Sequence, residues 1–480
     1  MNRSIRRLYG VLAGGFVLLM VMLGWWQVVA ADDLRDRPGN RQTLQQERLI
    51  DRGRILSADG LVLAASRAHR VDGQRVFERL YPQGSLAAHV VGYTSDERGK
   101  TGVENSYNRY LSGSFGSEPI LQRLNLKEKR GANVQLSLDS RVQQIAEQQL
   151  AGQRGAVVAL DPRTGAILAM ASAPTYSLEQ AVTDFTAIPE DGGPLVNRAT
   201  TGRYPPGSTF KVVTAASGLE DGIVDADSIF DDTGSYETPG GDITNFGGKT
   251  FGRHTLTDAL TFSINTTFAA LGDELGPERL GATMTAFGFG ERPPIDLPDD
   301  EVIASGRRAD DGSLLPNDEE GEDTARIAIG QERLAVTPLE MAMTAGAIAN
   351  DGVLMAPQLM SRIVDRSGQE IRRATPQELG RAMPADDALE LTAMMEDVVE
   401  EGTGTAAALS AAGVTVAGKT GTAETDDPNK NQAWFIGFAP SQDPVVAIAV
   451  VIEDTPSSGG SAAAPVAAEV MRAAIEADGG

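Results

Sequence analysis

Cysteine is absent from these 480 residues, which excludes disulfides, thiolate zinc sites and cysteine nucleophiles together. The redox compartment stays open. Histidine is almost missing too: His69, His89 and His254 are all there are, so a Ser-His-Asp site could draw only on His254, and a serine enzyme of this sequence needs another base. Lysine is sparse. Among 42 basic residues only Lys100, Lys127, Lys129, Lys211, Lys249, Lys419 and Lys430 are lysine. Where charge alone serves, this chain uses arginine, which cannot give up its proton. Positive charge as a whole is in deficit, 42 basic against 66 acidic residues for a net charge of -24, which repels a polyphosphate and argues against nucleic acid as a partner.

What is present is a globular composition, 41% hydrophobic and long enough for two or three domains with a large core. Residues 8–31 carry no charge, follow Arg3, Arg6 and Arg7, and precede Asp32 and Asp33. The run is long enough to span a bilayer with its basic flank in the cytoplasm and the remainder of the chain outside. A cleaved signal peptide is the alternative, with Val29-Ala30-Ala31 as the small-residue site; the length of the run and Trp25-Trp26 at its end favour a retained single-pass anchor.

Three segments follow from the pattern: cytoplasmic tip and transmembrane anchor at 1–31, a small non-catalytic pedestal at 32–130, and a catalytic domain at 131–480. In the pedestal, alternation around Asp59-Gly60 predicts a hairpin, and 102–113 reads as a short helix closed by Gly113. Asp139 is placed to cap a helix running to about Leu150. Residues 155–160 and 166–171 predict strand, turn and strand, and 414–424, 433–439 and 445–453 predict three more, ahead of an Ala-rich helix at 464–477. Together these predict an α+β fold in which one five-stranded antiparallel sheet is flanked by helices. The acidic stretch 297–323 reads as a solvated loop, since nothing in it has metal-ligand spacing. No internal repeat is visible.

Three short strings carry the chemistry. Pro205-Pro206-Gly207 stops a loop ahead of Ser208-Thr209-Phe210-Lys211, so Ser208 and Lys211 share one face of a starting helix. The lysine can accept the serine proton if burial and nearby positive charge lower its pKa. Ser263-Ile264-Asn265 falls between two predicted helices, where a hydroxyl can relay a proton and an amide can bind a peptide group; by itself it would be a helix cap. Lys419-Thr420-Gly421-Thr422 lies in a strand pattern, with Gly421 permitting close approach and Lys419 and the hydroxyls able to hold a carboxylate; by itself it would be a strand with a glycine bulge. Each string is weak alone, and their order, helix start, interhelical loop and strand, makes one strong pattern.

At these residues the chain resembles the class B penicillin-binding proteins, and within them an actinobacterial branch with a short pedestal and no C-terminal repeats. The resemblance extends to Arg52-Gly53-Arg54-Ile55, Gly102-Val103-Glu104, Asn197-Arg198, Tyr204 and Ile329-Gly330-Gln331; Ile264 departs from the Ser-Asp-Asn form of the second string. It implies a penicillin-binding transpeptidase domain and a peptidoglycan D,D-transpeptidase active in growth or division. Ser208 would attack the D-Ala-D-Ala bond of a stem peptide, Lys211, Ser263, Asn265 and Lys419 would act with it, and Thr420, Gly421 and Thr422 would bind substrate. The backbone N–H groups of Ser208 and Thr422 would form the oxyanion hole. The implied partners are stem peptides as donor and amine acceptor, β-lactams as inhibitors, and a SEDS-family glycosyltransferase in the membrane; no metal or organic cofactor is implied.

Two other readings compete. A β-lactam hydrolase of the same fold would carry a Glu-x-x-Leu-Asn string between Asn265 and Lys419, and none occurs. A membrane-anchored β-lactam sensor would need a cytoplasmic output domain, for which the few residues ahead of the anchor leave no room.

Overall fold

The computed structural model describes residues 2–26, 48–95, 98–115, 130–319, 321, 323–423, 427 and 430–479. Helix α1 (Asn2–Gly24) is exposed along its length and is the one helix, among the described residues, long and apolar enough to cross a membrane. The rest of the apolar run, with Val29-Ala30-Ala31 and the polar stretch to residue 47, lies outside the described residues.

Strands β1 (Ile55–Leu56) and β2 (Val62–Val71) pair antiparallel across the turn at Asp59-Gly60, as the alternation predicts. The turn also reaches outward, because Asp59 accepts the Ser140 N–H at 3.0 Å and the Ser140 hydroxyl at 2.6 Å. Strand β3 (Gln74–Leu80) returns along β2, and β4 (Asn133–Leu136) runs parallel to β1. Between them the predicted helix is two, Gly102–Ser106 and Asn108–Leu111, broken at Tyr107, whose hydroxyl donates to Asp296 at 2.6 Å. Gly113, left-handed at φ 71°, ends the second. The strings at Arg52 and Glu104 meet here. Glu104 is fully buried between Arg52, 2.6 Å away, and Arg79, 2.5 Å away. Burial pushes its carboxyl up, but the two guanidiniums outweigh burial and hold it below the usual range.

Asp139 caps helix α2 (Ser140–Gln149) through the N–H groups of Arg141 and Val142. Strands β5 (Gly155–Leu160) and β6 (Ile167–Ala173) follow, then a long, mainly helical region holding α3 (Lys211–Glu220), α4 (Asn265–Ala286) and α5 (Pro338–Ala349). The chain then forms β7 (Met360–Val364), β8 (Glu370–Arg373) and α6 (Ala385–Glu400), and ends in β9 (Ala417–Ala423), β10 (Asn431–Ala439), β11 (Val446–Thr455) and α7 (Gly459–Asp478). Helix α7 starts earlier than its alanines suggest, at a capping box on Ser458.

The five-stranded sheet has order β9-β10-β11-β5-β6 with every neighbour antiparallel. Alternate residues of its strands enter opposite cores. Val157, Phe435, Ile448 and Val450 pack beneath α2 and α7, while Val158, Trp434, Ala449 and Val451 face the core shared with α3, α4 and α5. Burial on both faces explains why these strands read as apolar runs.

The second sheet has six strands in the order β8-β7-β4-β1-β2-β3. It therefore spans the 130/131 boundary drawn from sequence, since β4, β7 and β8 come from beyond it. The acidic stretch is not uniformly solvated either. Glu301 is half-buried and its two oxygens each accept the Gly102 N–H at 3.0 Å, tying the stretch to the pedestal. Burial pushes the Glu301 carboxyl up to about 7.

Helix α5 contains an uncompensated acid. Its N-cap Thr337 accepts the Glu340 N–H, and in a capping box Glu340 would return to the Thr337 N–H. Ser305 Oγ takes that N–H instead, at 2.9 Å, leaving both oxygens of the fully buried Glu340 carboxyl without a partner. Burial pushes Glu340 from the ordinary 4.5 up to about 8. Between those values the folded state holds a proton that the unfolded state releases, so rising pH removes stability, by about 1.4 kcal/mol per unit, until the folded pKa is passed. Glu340→Gln is expected to flatten that slope and raise the melting temperature at pH 8. Equal pH slopes in urea titrations of both proteins would assign the dependence to another group.

Candidate active site

Ser208 stands in a single 3₁₀ turn, Gly207–Phe210, that runs directly into α3 at Lys211. Two prolines stiffen its approach, and Gly207 opens the turn at φ 53°, a conformation that disfavours any side chain. The turn packs against strand β9. A Cβ at Gly421 would lie 2.8 Å from Pro206 O and 3.0 Å from Thr209 N, so only glycine lets the strand approach the backbone of the Ser208 turn this closely. Strand β9 is the edge of its sheet and presents its open side to Ser208.

Lys211 and Lys419 have no exposed surface. The first rises from α3 and the second from β9, and their ammonium groups converge on one hydroxyl: Ser263 Oγ lies 3.3 Å from Lys211 Nζ and 3.0 Å from Lys419 Nζ. Lys211 also donates to Ser263 O at 2.8 Å and to Asn265 Oδ1 at 2.7 Å. Lys419 donates to Thr420 O at 3.0 Å. Phe268 lies beneath Lys211, its ring centre 5.4 Å from Nζ.

These contacts fix the protonation chemistry. Burial, and then the charge of Lys419, bring Lys211 well below the usual lysine range. Burial alone brings Lys419 down to about 7. A neutral amine has two N–H groups and one lone pair. Ser263 O and Asn265 Oδ1 can only accept, so they take both N–H groups and leave the lone pair of Lys211 for a hydroxyl proton.

Ser263 holds its place in an unusual backbone state, left-handed at φ 59°, which costs about 1–3 kcal/mol for a non-glycine residue. That corner separates helix Leu256–Thr261 from α4 and turns both the carbonyl and the hydroxyl of Ser263 toward Lys211. Ile264 is fully buried at the N-cap position of α4. The departure from Ser-Asp-Asn thus falls on a core position.

All eight residues singled out from sequence are brought together. Ser208, Ser263, Asn265, Thr420, Gly421 and Thr422 line a cleft of about 650 Å³, and Lys211 and Lys419 lie buried beneath it. His254 stays apart, with its ring nitrogens 2.7 Å from Gly252 O and Thr267 Oγ1. Sequence reading missed Phe268 and Thr403, whose hydroxyl lies 2.5 Å from that of Thr420. It named Tyr204 without a role: its hydroxyl donates to Glu453 at 2.5 Å, its ring packs edge-on to Trp434, and the Trp434 indole donates to Pro205 O at 3.0 Å, bracing the loop ahead of Ser208.

Comparison with known proteins gives consistent matches. Residues 155–472 match the penicillin binding protein transpeptidase domain, and 52–134 match the penicillin binding protein A dimerisation domain. The peptidoglycan D,D-transpeptidase PbpA of Mycolicibacterium smegmatis is 36% identical, with 99% of each chain covered. The D,D-transpeptidase MrdA of Escherichia coli is 30% identical over 83% of this chain and 70% of its own. Among solved structures, the ceftriaxone acyl-enzyme of penicillin-binding protein A from M. tuberculosis superposes with TM-score 0.79 at 31% identity, covering 90% of this chain and 99% of that one.

The approach of β9 to the Ser208 turn makes a direct prediction. Gly421→Ala must push strand and turn apart and is expected to cost about 1–3 kcal/mol of stability. Gly380→Ala, where a Cβ would meet nothing within 4 Å, should stay within about 0.5 kcal/mol of wild type. Similar urea midpoints for the two variants would show that the contact at Gly421 is easily relaxed.

Proposed function

This chain belongs to the class B penicillin-binding proteins, the peptidoglycan D,D-transpeptidases, close to the actinobacterial penicillin-binding protein A group, and we propose from that premise that Ser208 is its nucleophile and Lys211 its base. The enzyme crosslinks peptidoglycan through a serine acyl-enzyme and is a target of β-lactams. Helix α1 is consistent with a single-pass membrane anchor that leaves the transpeptidase domain outside the cytoplasm.

The observation that carries the residue assignment is the buried Lys211 amine, whose two N–H groups are taken by Ser263 O and Asn265 Oδ1. In the first half-reaction Ser208 Oγ attacks the carbonyl carbon of the penultimate D-alanine while its proton passes to Lys211 Nζ. The oxyanion is met by the backbone N–H groups of Ser208 and Thr422, donors of a kind worth roughly 3–4 kcal/mol each. As the tetrahedral carbon collapses, the C–N bond breaks and the amine of the terminal D-alanine takes a proton through Ser263 Oγ, which both lysines face. Lys419, Thr420 and Thr422 hold the carboxylate of the departing residue, and Gly421 keeps the strand close enough for them to do so. In the second half-reaction an amine of a neighbouring stem peptide attacks the ester carbonyl, loses its proton by the same route and restores the Ser208 hydroxyl.

The domain assignment we propose is anchor at 1–31, pedestal at 32–130 and transpeptidase domain at 131–480, with the pedestal sheet completed by β4, β7 and β8 of the larger domain. A SEDS-family glycosyltransferase is the proposed membrane partner. The kinship supports that reading, as does the β2–β3 hairpin, whose exposed end carries His69, Arg70 and Val71 and whose Phe77 N–H donates to Arg48 O, where the chain arrives from the anchor side.

Intact-mass measurement after penicillin, followed by peptide mapping, is expected to show one adduct on Ser208, outlasting a hydrolytic turnover and missing from Ser208→Ala. Adduct formation by Ser208→Ala would remove the nucleophile assignment, and rapid release of penicilloate would favour the hydrolase. For the partner, charge-reversing substitution of Arg70 with Val71→Asp in the full chain should reduce co-purification of the glycosyltransferase from membranes. Undiminished recovery would move the contact elsewhere.

A further inference from the structure

Helix α4, which carries Asn265, begins without a side-chain cap of its own, since the Ile264 side chain at its N-cap has no group able to accept a hydrogen bond. Its first N–H groups are satisfied from twenty residues back: Asn245 Oδ1 accepts from Asn265 N at 2.8 Å and from Thr266 N at 3.2 Å. The other end of the same amide is also held. Asn245 Nδ2 donates to Asp232 Oδ2 at 2.9 Å and to Lys249 O at 3.1 Å. Asp232 is buried and accepts three further bonds, from Thr266 Oγ1 at 2.7 Å, Gly234 N at 2.8 Å and Phe251 N at 2.7 Å. One residue along the loop from Asn245, Thr244 O accepts from Asn265 Nδ2 at 2.8 Å. Asn265 is therefore gripped at its backbone by Asn245 and at its amide nitrogen by Thr244, and its remaining side-chain atom, Oδ1, takes Lys211.

We propose that Asn245, held in place by Asp232, is a positioning residue for acyl transfer: by capping α4 it sets the position of Asn265 and, through it, the direction of the Lys211 amine. The inference rests on the assignment of Lys211 as base. The residue type fits the task. Position 245 needs an acceptor for two backbone N–H groups at one end and a donor to a carboxylate at the other, which an amide supplies and a carboxylate does not. The arrangement also gives the left-handed Ser263 corner a support outside its own string, because the helix that follows the corner is fixed by a loop lining the far wall of the cleft.

The test uses the full chain in detergent and stopped-flow acylation by a fluorescent penicillin, read as both rate constant and titrated amplitude. Asn245→Ala is expected to keep its amplitude while its acylation rate constant falls about 10- to 100-fold, the range for a catalytic group displaced by about an ångström. The low-pH limb of its rate profile should move to lower pH, because the Lys211 ammonium, already facing Lys419, loses an acceptor. A lower amplitude with wild-type rate and an unmoved limb would reveal a merely structural role and overturn the proposal. Asn245→Asp sets two carboxylates against each other, whereas combining it with Asp232→Asn re-forms the amide–carboxylate bond in the opposite sense. The double variant should acylate faster than Asn245→Asp alone, and no gain would overturn the proposal even if Asn245→Ala does not fold. Lys211→Ala separates the two claims: wild-type acylation there would sink the base assignment, whereas a dead Lys211→Ala beside an unaffected Asn245→Ala would sink only the positioning role.

Discussion

Two ammonium groups without solvent, sharing one hydroxyl, are the constraint on which this site depends. Lys211 and Lys419 both reach Ser263 Oγ from full burial. In water neither would lose its charge near neutrality; in the interior burial disfavours both charges, and the charge of Lys419 further disfavours that of Lys211. Such a pair survives only where the surrounding structure over-determines it. Here the lysines come from a helix and a sheet edge, and the hydroxyl between them comes from a strained corner, so no single element can relax without disturbing the other two.

That division also explains what could be read from sequence. The strings at 208–211, 263–265 and 419–422 are legible because each fixes residue type and spacing within one element. The sheet strands β5, β6, β9, β10 and β11 are legible because burial on both faces leaves runs of apolar residues. Tertiary partners leave no such mark. Asn245 lies twenty residues from the helix it caps, and a search for caps at local offsets finds Ile264 and stops. The helix expected over 102–113 breaks at Tyr107, which is bound to Asp296, a residue from beyond Ser208 in the chain. Glu301 looks like one more acid in a solvated run until Gly102 is found beside it.

The pedestal is bound by the same logic of distant partners. Arg52, Arg79 and Glu104 lie on three segments and form a buried triad, which is poor evidence of added stability but pins the arrangement of those segments. Through Tyr107, Asp296 and Glu301 the pedestal is then tied to loops of the transpeptidase domain. It is joined side chain by side chain as well as through its shared sheet.

The shared sheet also orders events in time. Leu136 of β4 pairs with Met360 of β7, so the pedestal's sheet is finished by a segment synthesised after most of the catalytic domain. A chain whose N-terminal anchor stays in the membrane while the residues after it cross in order presents Asn133–Leu136 with one backbone edge bare until that segment emerges. Bare edges invite pairing with other chains, and contacts of this sequence separation are slow to close. The first domain to leave the membrane is among the last to be complete.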